Sequence, residues 1–214
     1  MAYICLLLSG AALLINGLAT LNLVPRRDAA VFSLVIGTAQ LILGVAHLTA
    51  TAGRGTQSLL GPAGIFLFGL TYAYVGLDFR LGLGSKGLGW FCGMVGFCGL
   101  LLAVAWSGED PLLSVLWLCW TYLWLLFFLH MALGFERMAP LIGWSLVLTS
   151  QASATVPAFL GITGHWPAGV AAAAAAGASL AALLLLAGGL ARRGRRSGTG
   201  GAAVERPLPG KLRL

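Results

Sequence analysis

Charge is what this sequence has least of: Asp, Glu, Lys and Arg make up 9% of its 214 residues. A soluble domain needs far more polar surface than that to cover its core. The hydrophobic fraction of 59% and mean hydropathy of +0.93 therefore exclude that class. No Asp, Glu, Lys or Arg falls in the middle of a long apolar run. Ion-coupled transporters, proton pumps and voltage sensors keep ionisable groups there, because those groups carry the coupling. The only lysines are Lys86 and Lys211, both outside the runs, which excludes a Schiff base within a span. Cys5, Cys92, Cys98 and Cys119 form no C-x-x-C pair and read as small apolar residues. No carboxylate lies beside a mid-run Ser or Thr as a general base, so an intramembrane hydrolase is not expected. The chain reads as a non-enzyme without cofactor or metal.

What is present is a series of apolar segments of roughly 20 residues, the length that crosses a bilayer core. They fall at about Ala2–Val24, Ala30–Ala52, Leu59–Leu77, Gly87–Ser107, Pro111–Leu133, Ala139–Ile162 and Ala168–Ala191. Turn and charge signals separate them: Pro25 to Asp28, Gly53 to Gly55, Asp78 to Lys86, Gly108 to Pro111, Glu136-Arg137 and Gly164 to Pro167. The first segment lacks a basic start, is too long for a signal-peptide core and holds Asn16 and Asn22, so it reads as a true span. The predicted fold is an all-α, polytopic transmembrane helix bundle.

Lys and Arg set the orientation. Alternate loops carry Arg26 and Arg27, then Arg80 and Lys86, then Arg137, and finally Arg192, Arg193, Arg195 and Arg196. The opposite set carries Arg54 with Glu109 and Asp110. This asymmetry predicts an outer N-terminus and a cytoplasmic C-terminus. An odd number of spans is needed to bring the Arg-rich end inside, and seven satisfies that.

Three units are expected: residues 1–166, a helix over 167–191, and a basic tail over 192–214. The alanine run Ala171–Ala176 leaves Ser179 as the seventh segment's polar side chain, which suits a peripheral packing helix. The Gly-, Ser- and Pro-rich tail reads as disordered, its arginines available to anionic lipid. The formal charge of +7 is explained by these topological positions, so no nucleic-acid partner is expected.

The aromatic residues are the positive signal. Trp90, Trp106, Trp144 and Trp166 lie near segment ends, as an interfacial belt requires. Trp117, Trp120 and Trp124 lie deeper, and at about 100° per residue they share one helical face. Phe68 and Tyr72 are i, i+4 neighbours on the third segment. Either stripe reads equally as core packing or as one wall of a flat, charge-free slot. Neutral polar residues near mid-membrane (Asn16, Gln40, Thr71, Thr149, Ser150, Gln151, Ser153 and Thr155) serve a neutral solute or hold helices together. Interhelical bonding is the preferred reading for Ser150 and Ser153. His47 and His165, both near the outer face, permit an alternative reading as haem ligands in a membrane redox protein. A purely structural subunit is the third reading.

Gly61-Pro62-Ala63-Gly64-Ile65-Phe66-Leu67-Phe68-Gly69-Leu70-Thr71-Tyr72-Ala73-Tyr74 resembles the third-helix signature of the AmiS/UreI family, the bacterial urea channels and short-chain amide transporters. Trp117-Leu118-Cys119-Trp120-Thr121-Tyr122-Leu123-Trp124 resembles its fifth-helix tryptophan motif. Asn16-Gly17 and Val156-Pro157-Ala158 also fit, and the similarity runs to about Trp166. The resemblance implies a six-helix core of three two-helix hairpins, a pore in each protomer and a homohexameric ring. It implies that Trp117, Trp120, Trp124, Phe68 and Tyr72 line constrictions passing urea or small amides; of the neutral polar residues above, Asn16, Thr71, Thr149 and Gln151 are expected to complete that path. A cytoplasmic urease or amidase would consume the solute. Three features depart from the family pattern. A seventh span is added, and the outer loops hold few protonatable groups: His165, His47, Glu109 and Asp110. A neutral Thr149 also stands near the position of an acidic sixth-helix residue in urea channels. Strong acid gating is therefore not expected.

Overall fold

The structure is a computed structural model describing residues 1–53 and 55–200, with side chains described up to residue 194. Seven membrane-length helices and no strand occur among the described residues. They are α1 (Ala2–Thr20), α2 (Arg26–Thr51), α3 (Leu60–Leu81), α4 (Lys86–Trp106), α5 (Pro111–Ala132), α6 (Glu136–Ile162) and α7 (Val170–Gly200).

Several boundaries differ from expectation, each for a local reason. The first helix stops at Thr20, and Asn22 takes a left-handed φ of 60° in the turn rather than lying in the span. Arg26, Arg27 and Asp28 form the first turn of α2 instead of a loop; Pro25 precedes them as the helix start. The third helix runs past Asp78 to Leu81, so this carboxylate is helical and buried. It accepts bonds from the backbone N–H of Ser85 (2.8 Å) and from its hydroxyl, closing the α3–α4 turn. Gly82, at φ +66°, ends α3 in the left-handed conformation glycine tolerates. At the start of α5, Asp110 caps the Leu113 N–H at 2.9 Å and Pro111 occupies the first turn.

The sixth helix contains a π turn over Gln151–Thr155. Pro157 explains it, because a proline has no N–H for the carbonyl of Ser153 and its ring crowds that turn. The backbone widens just before it, and the Val156 N–H reaches back five residues to Gln151 O.

Six helices close a ring. The most extensive packing joins α2 to α3, α4 to α5 and α6 to α1, while α1–α2, α3–α4 and α5–α6 touch less. That alternation recurs three times around the ring. Small residues permit the close pairs: a Cβ on Gly37 of α2 would lie 2.5 Å from Ala73 N of α3. The seventh helix lies outside the ring against α5 and α6. It continues through Arg192 and Arg193 to Gly200, beyond the expected boundary at residue 191, so the predicted tail begins as helix. The remaining tail, 201–214, and Arg54 lie outside the described residues.

Candidate functional site

The two aromatic stripes meet inside the ring. All three indoles of α5 are buried, with Trp117, Trp120 and Trp124 each less than 5% exposed. Phe68 of α3 lies among them, with ring centroids 5.8, 5.0 and 4.7 Å from Trp117, Trp120 and Trp124. It meets Trp120 edge-on at 87°, while Trp117 and Trp124 are near-parallel at 19° and 6.1 Å apart. Tyr72 extends the cluster, 6.0 Å from Phe68. Gly64 makes the approach of α5 possible, since a Cβ there would come within 2.6 Å of the Trp117 ring.

A cavity lies on each side of this cluster. The wide one, about 280 Å³, opens toward the end of the bundle that carries the N-terminus. Its polar lining residues are Ser9, Gln40, His47 and Asp110, set among Trp106, Trp117 and Trp166. The narrow one, about 50 Å³, lies toward the opposite end, lined by Asn16, Thr20, Thr71 and otherwise by apolar side chains such as Leu13, Phe79 and Leu123. Phe68 and Trp120 border both cavities and so form the partition between them.

The two halves of the partition are held differently. Trp120 donates its indole N–H to Ser153 Oγ at 3.2 Å, a bond aimed across the ring from the π turn of α6. Phe68 has ring contacts alone. No ionised side chain borders the partition: Asp110, at the mouth of the wide cavity, is occupied by Leu113 N–H and by the Trp166 indole N–H at 2.9 Å.

In the narrow cavity the polar atoms are already committed. Asn16 Nδ2 donates to Ala12 O (2.9 Å) and pairs with Ser33 of α2, while Thr20 and Thr71 donate to carbonyls four residues earlier. The wide cavity differs, because Gln40 Oε1 is buried without a partner.

Seven of the nine residues named from the sequence come together here: Phe68, Tyr72, Trp117, Trp120, Trp124, Asn16 and Thr71. Thr149 and Gln151 do not line either cavity. Thr149 is fully buried and donates to Ser145 O at 2.7 Å. Gln151 is exposed, beside Ser150, because helical spacing places it off the buried face formed by Ile142, Ser145, Leu146 and Thr149. Trp106 and Trp166 were placed in an interfacial belt; both instead line the wide cavity. Ser9 carried no sequence signal at all, since one serine in an apolar helix has no pattern. The haem alternative finds no support. His47 lines the wide cavity, but His165 is exposed and bonded to Thr163 Oγ1 at 3.2 Å. No group of three or more His, Cys, Asp or Glu that could hold a metal occurs among the described residues.

A profile of the AmiS/UreI family transporters matches residues 1–165. The chain is 39% identical over 168 residues to the putative transporter protein AmiS2 of Rhodococcus erythropolis, covering 78% of this chain and 81% of the relative. It is 32% identical over 164 residues to a putative amidate substrates transporter protein of Mycolicibacterium smegmatis, covering 75% and 76%. It also resembles the closed-state structure of the Helicobacter pylori urea channel, with a TM-score of 0.70 and 26% identity. That likeness covers 78% of this chain and all of that one. The added helix α7 lies beyond the matched segment. An aromatic cluster between two cavities thus sits within the matched region, and this chain belongs to the AmiS/UreI family of transporters.

Proposed function

We propose that the chain is a passive channel for urea or short-chain aliphatic amides in the bacterial inner membrane. The single observation that carries this reading is the partition: two cavities meet at the uncharged rings of Phe68 and Trp120, which line both. A fixed charge there would favour an ion; stacked rings and neutral polar atoms suit a small planar molecule that leaves part of its hydration behind. Phe68, with no polar tether, is the half that swings, while Trp120 stays hooked to Ser153. Trp117, Trp124 and Tyr72 flank the passage, with Asn16 and Thr71 beside its narrow end.

The names of the relatives support the solute class, since one is a putative amidate substrates transporter and another an acid-activated urea channel. The basic loops support an outer N-terminus, so the wide cavity would face outward and the narrow one the cytoplasm. We further read the protein as a homohexamer with one pore per protomer, feeding a cytoplasmic urease or amidase. Flux is not expected to be strongly acid-gated, because the outer turns hold few protonatable groups.

Stopped-flow swelling of proteoliposomes in urea and acetamide, at neutral and acidic pH and without an ion gradient, tests the reading. Flux above that of protein-free liposomes is expected at both pH values. Flux equal to theirs at both would defeat the channel.

A further inference from the structure

Among the described residues, two buried side-chain polar atoms lack a hydrogen-bond partner, Gln40 Oε1 and Ser145 Oγ. Of the two residues, Gln40 lines the wide cavity, together with Ser9 and both residues of the partition. The orientation of its amide is fixed by chemistry. Nε2 lies 2.8 Å from the backbone carbonyl of Cys5, an acceptor that only the NH2 half can serve. The same Nε2 also donates to Ser9 Oγ at 2.8 Å. Gln40 is therefore clamped to α1 by its nitrogen, and its carbonyl oxygen is the half left over. Ser9 Oγ receives a bond from Gln40 and keeps its own proton to donate. One uncommitted acceptor and one donor thus belong to two bonded residues that line the wide cavity, both almost fully buried, Gln40 at 0% and Ser9 at 2% exposure.

A buried carbonyl without a partner is costly, and native structures pair such groups with protein, water or ligand. The partner it needs is a donor. A primary amide or urea presents an N–H and a carbonyl oxygen along one edge, the complement of this pair. We propose that Gln40 and Ser9 form the amide-recognition point of the pore, Gln40 Oε1 accepting the syn N–H of the permeant and the Ser9 hydroxyl donating to its carbonyl oxygen. The assignment rests on the channel reading above and adds a selectivity element to it. Aromatic rings admit by shape, and this pair admits by hydrogen-bond pattern. In the narrow cavity, by contrast, Asn16, Thr20 and Thr71 are satisfied within the protein, so a solute released there finds less to hold it.

Acetamide and N-methylformamide, which are isomers of one formula, test the assignment. Acetamide carries the syn N–H edge; the secondary amide favours the trans form, which sets its methyl group beside the oxygen and turns the N–H away. Stopped-flow fluxes of both, corrected for protein-free liposomes, are compared for wild type, Gln40→Met and Ser9→Ala. Wild type is expected to prefer acetamide. Gln40→Met, of similar length but without the acceptor, should lower acetamide flux about tenfold and leave N-methylformamide little changed. Ser9→Ala leaves Gln40 tied to Cys5 and should lose part of the preference. Equal loss of both isomers, or an unchanged preference in Gln40→Met, overturns the assignment in favour of a structural clamp or a water-satisfied carbonyl. If Gln40→Met is not monodisperse in detergent, Ser9→Ala decides: an unchanged acetamide preference overturns it. Wild-type flux no greater than that of empty liposomes for both isomers would instead defeat the channel reading itself.

Discussion

The two cavities on either side of Phe68 and Trp120 differ in size and in what their polar atoms are doing. The wide one, about 280 Å³, holds Gln40, Ser9, His47 and Asp110, and one of its carbonyls is unspent. The narrow one, about 50 Å³, holds Asn16, Thr20 and Thr71, each bonded to its own or a neighbouring helix. On the proposed reading, a solute is recognised on one side, loses water at the rings, and is let go on the other. Selection and release then need no ionisable group and no moving domain, only a ring that turns.

The largest effect expected comes from removing the boundary between the cavities. Trp120→Ala joins them, and glycerol flux in proteoliposomes should rise about tenfold or more as size discrimination fails. Unchanged discrimination would show that the indole merely packs. The next tests whether the wide cavity is the outer one. Cys5 lines it, whereas Cys92 lines the narrow one. A membrane-impermeant methanethiosulfonate added outside right-side-out vesicles should block most urea flux, and Cys5→Ser should prevent the block. Protection by Cys92→Ser instead would reverse the orientation.

A smaller effect is expected at the tether. Ser153→Ala frees the Trp120 indole N–H, a bond worth about 1 kcal/mol, and should change urea flux by about fivefold. The smallest concerns the two residues outside the path. Gln151→Ala and Thr149→Val should each leave urea and acetamide flux within about twofold of wild type, since surface and uninvolved positions are usually near neutral. A large loss in either would place the route through α6.

Span positions were legible because apolar run length and loop charge report directly on the bilayer. The stripe formed by Trp117, Trp120 and Trp124 was legible for a similar reason, since helical spacing alone puts three indoles on one face. Gln151 shows where that arithmetic stops. It was grouped with its polar neighbours, yet Thr149, Ser150 and Ser153 share the buried face of α6 and Gln151 is exposed. Asp78 was assigned to a loop because a carboxylate signals a break; the α3–α4 turn instead folds back to satisfy it through Ser85. Trp106 and Trp166 lie near helix ends, as an interfacial belt predicts, yet both turn inward onto the wide cavity.

The scarcity of charge determined, from sequence alone, that this chain is a multi-pass membrane protein with seven apolar segments of membrane length. Composition suffices there because an unpaired charge in mid-membrane is costly whatever the fold around it. The tertiary structure alone decided which neutral polar groups remain free. Asn16, Thr71 and Gln40 look equivalent in sequence, each a neutral polar residue in an apolar helix. Only the packing of α1 against α2 leaves Gln40 with an unspent carbonyl beside the rings, because satisfaction depends on which neighbours come within about 3 Å.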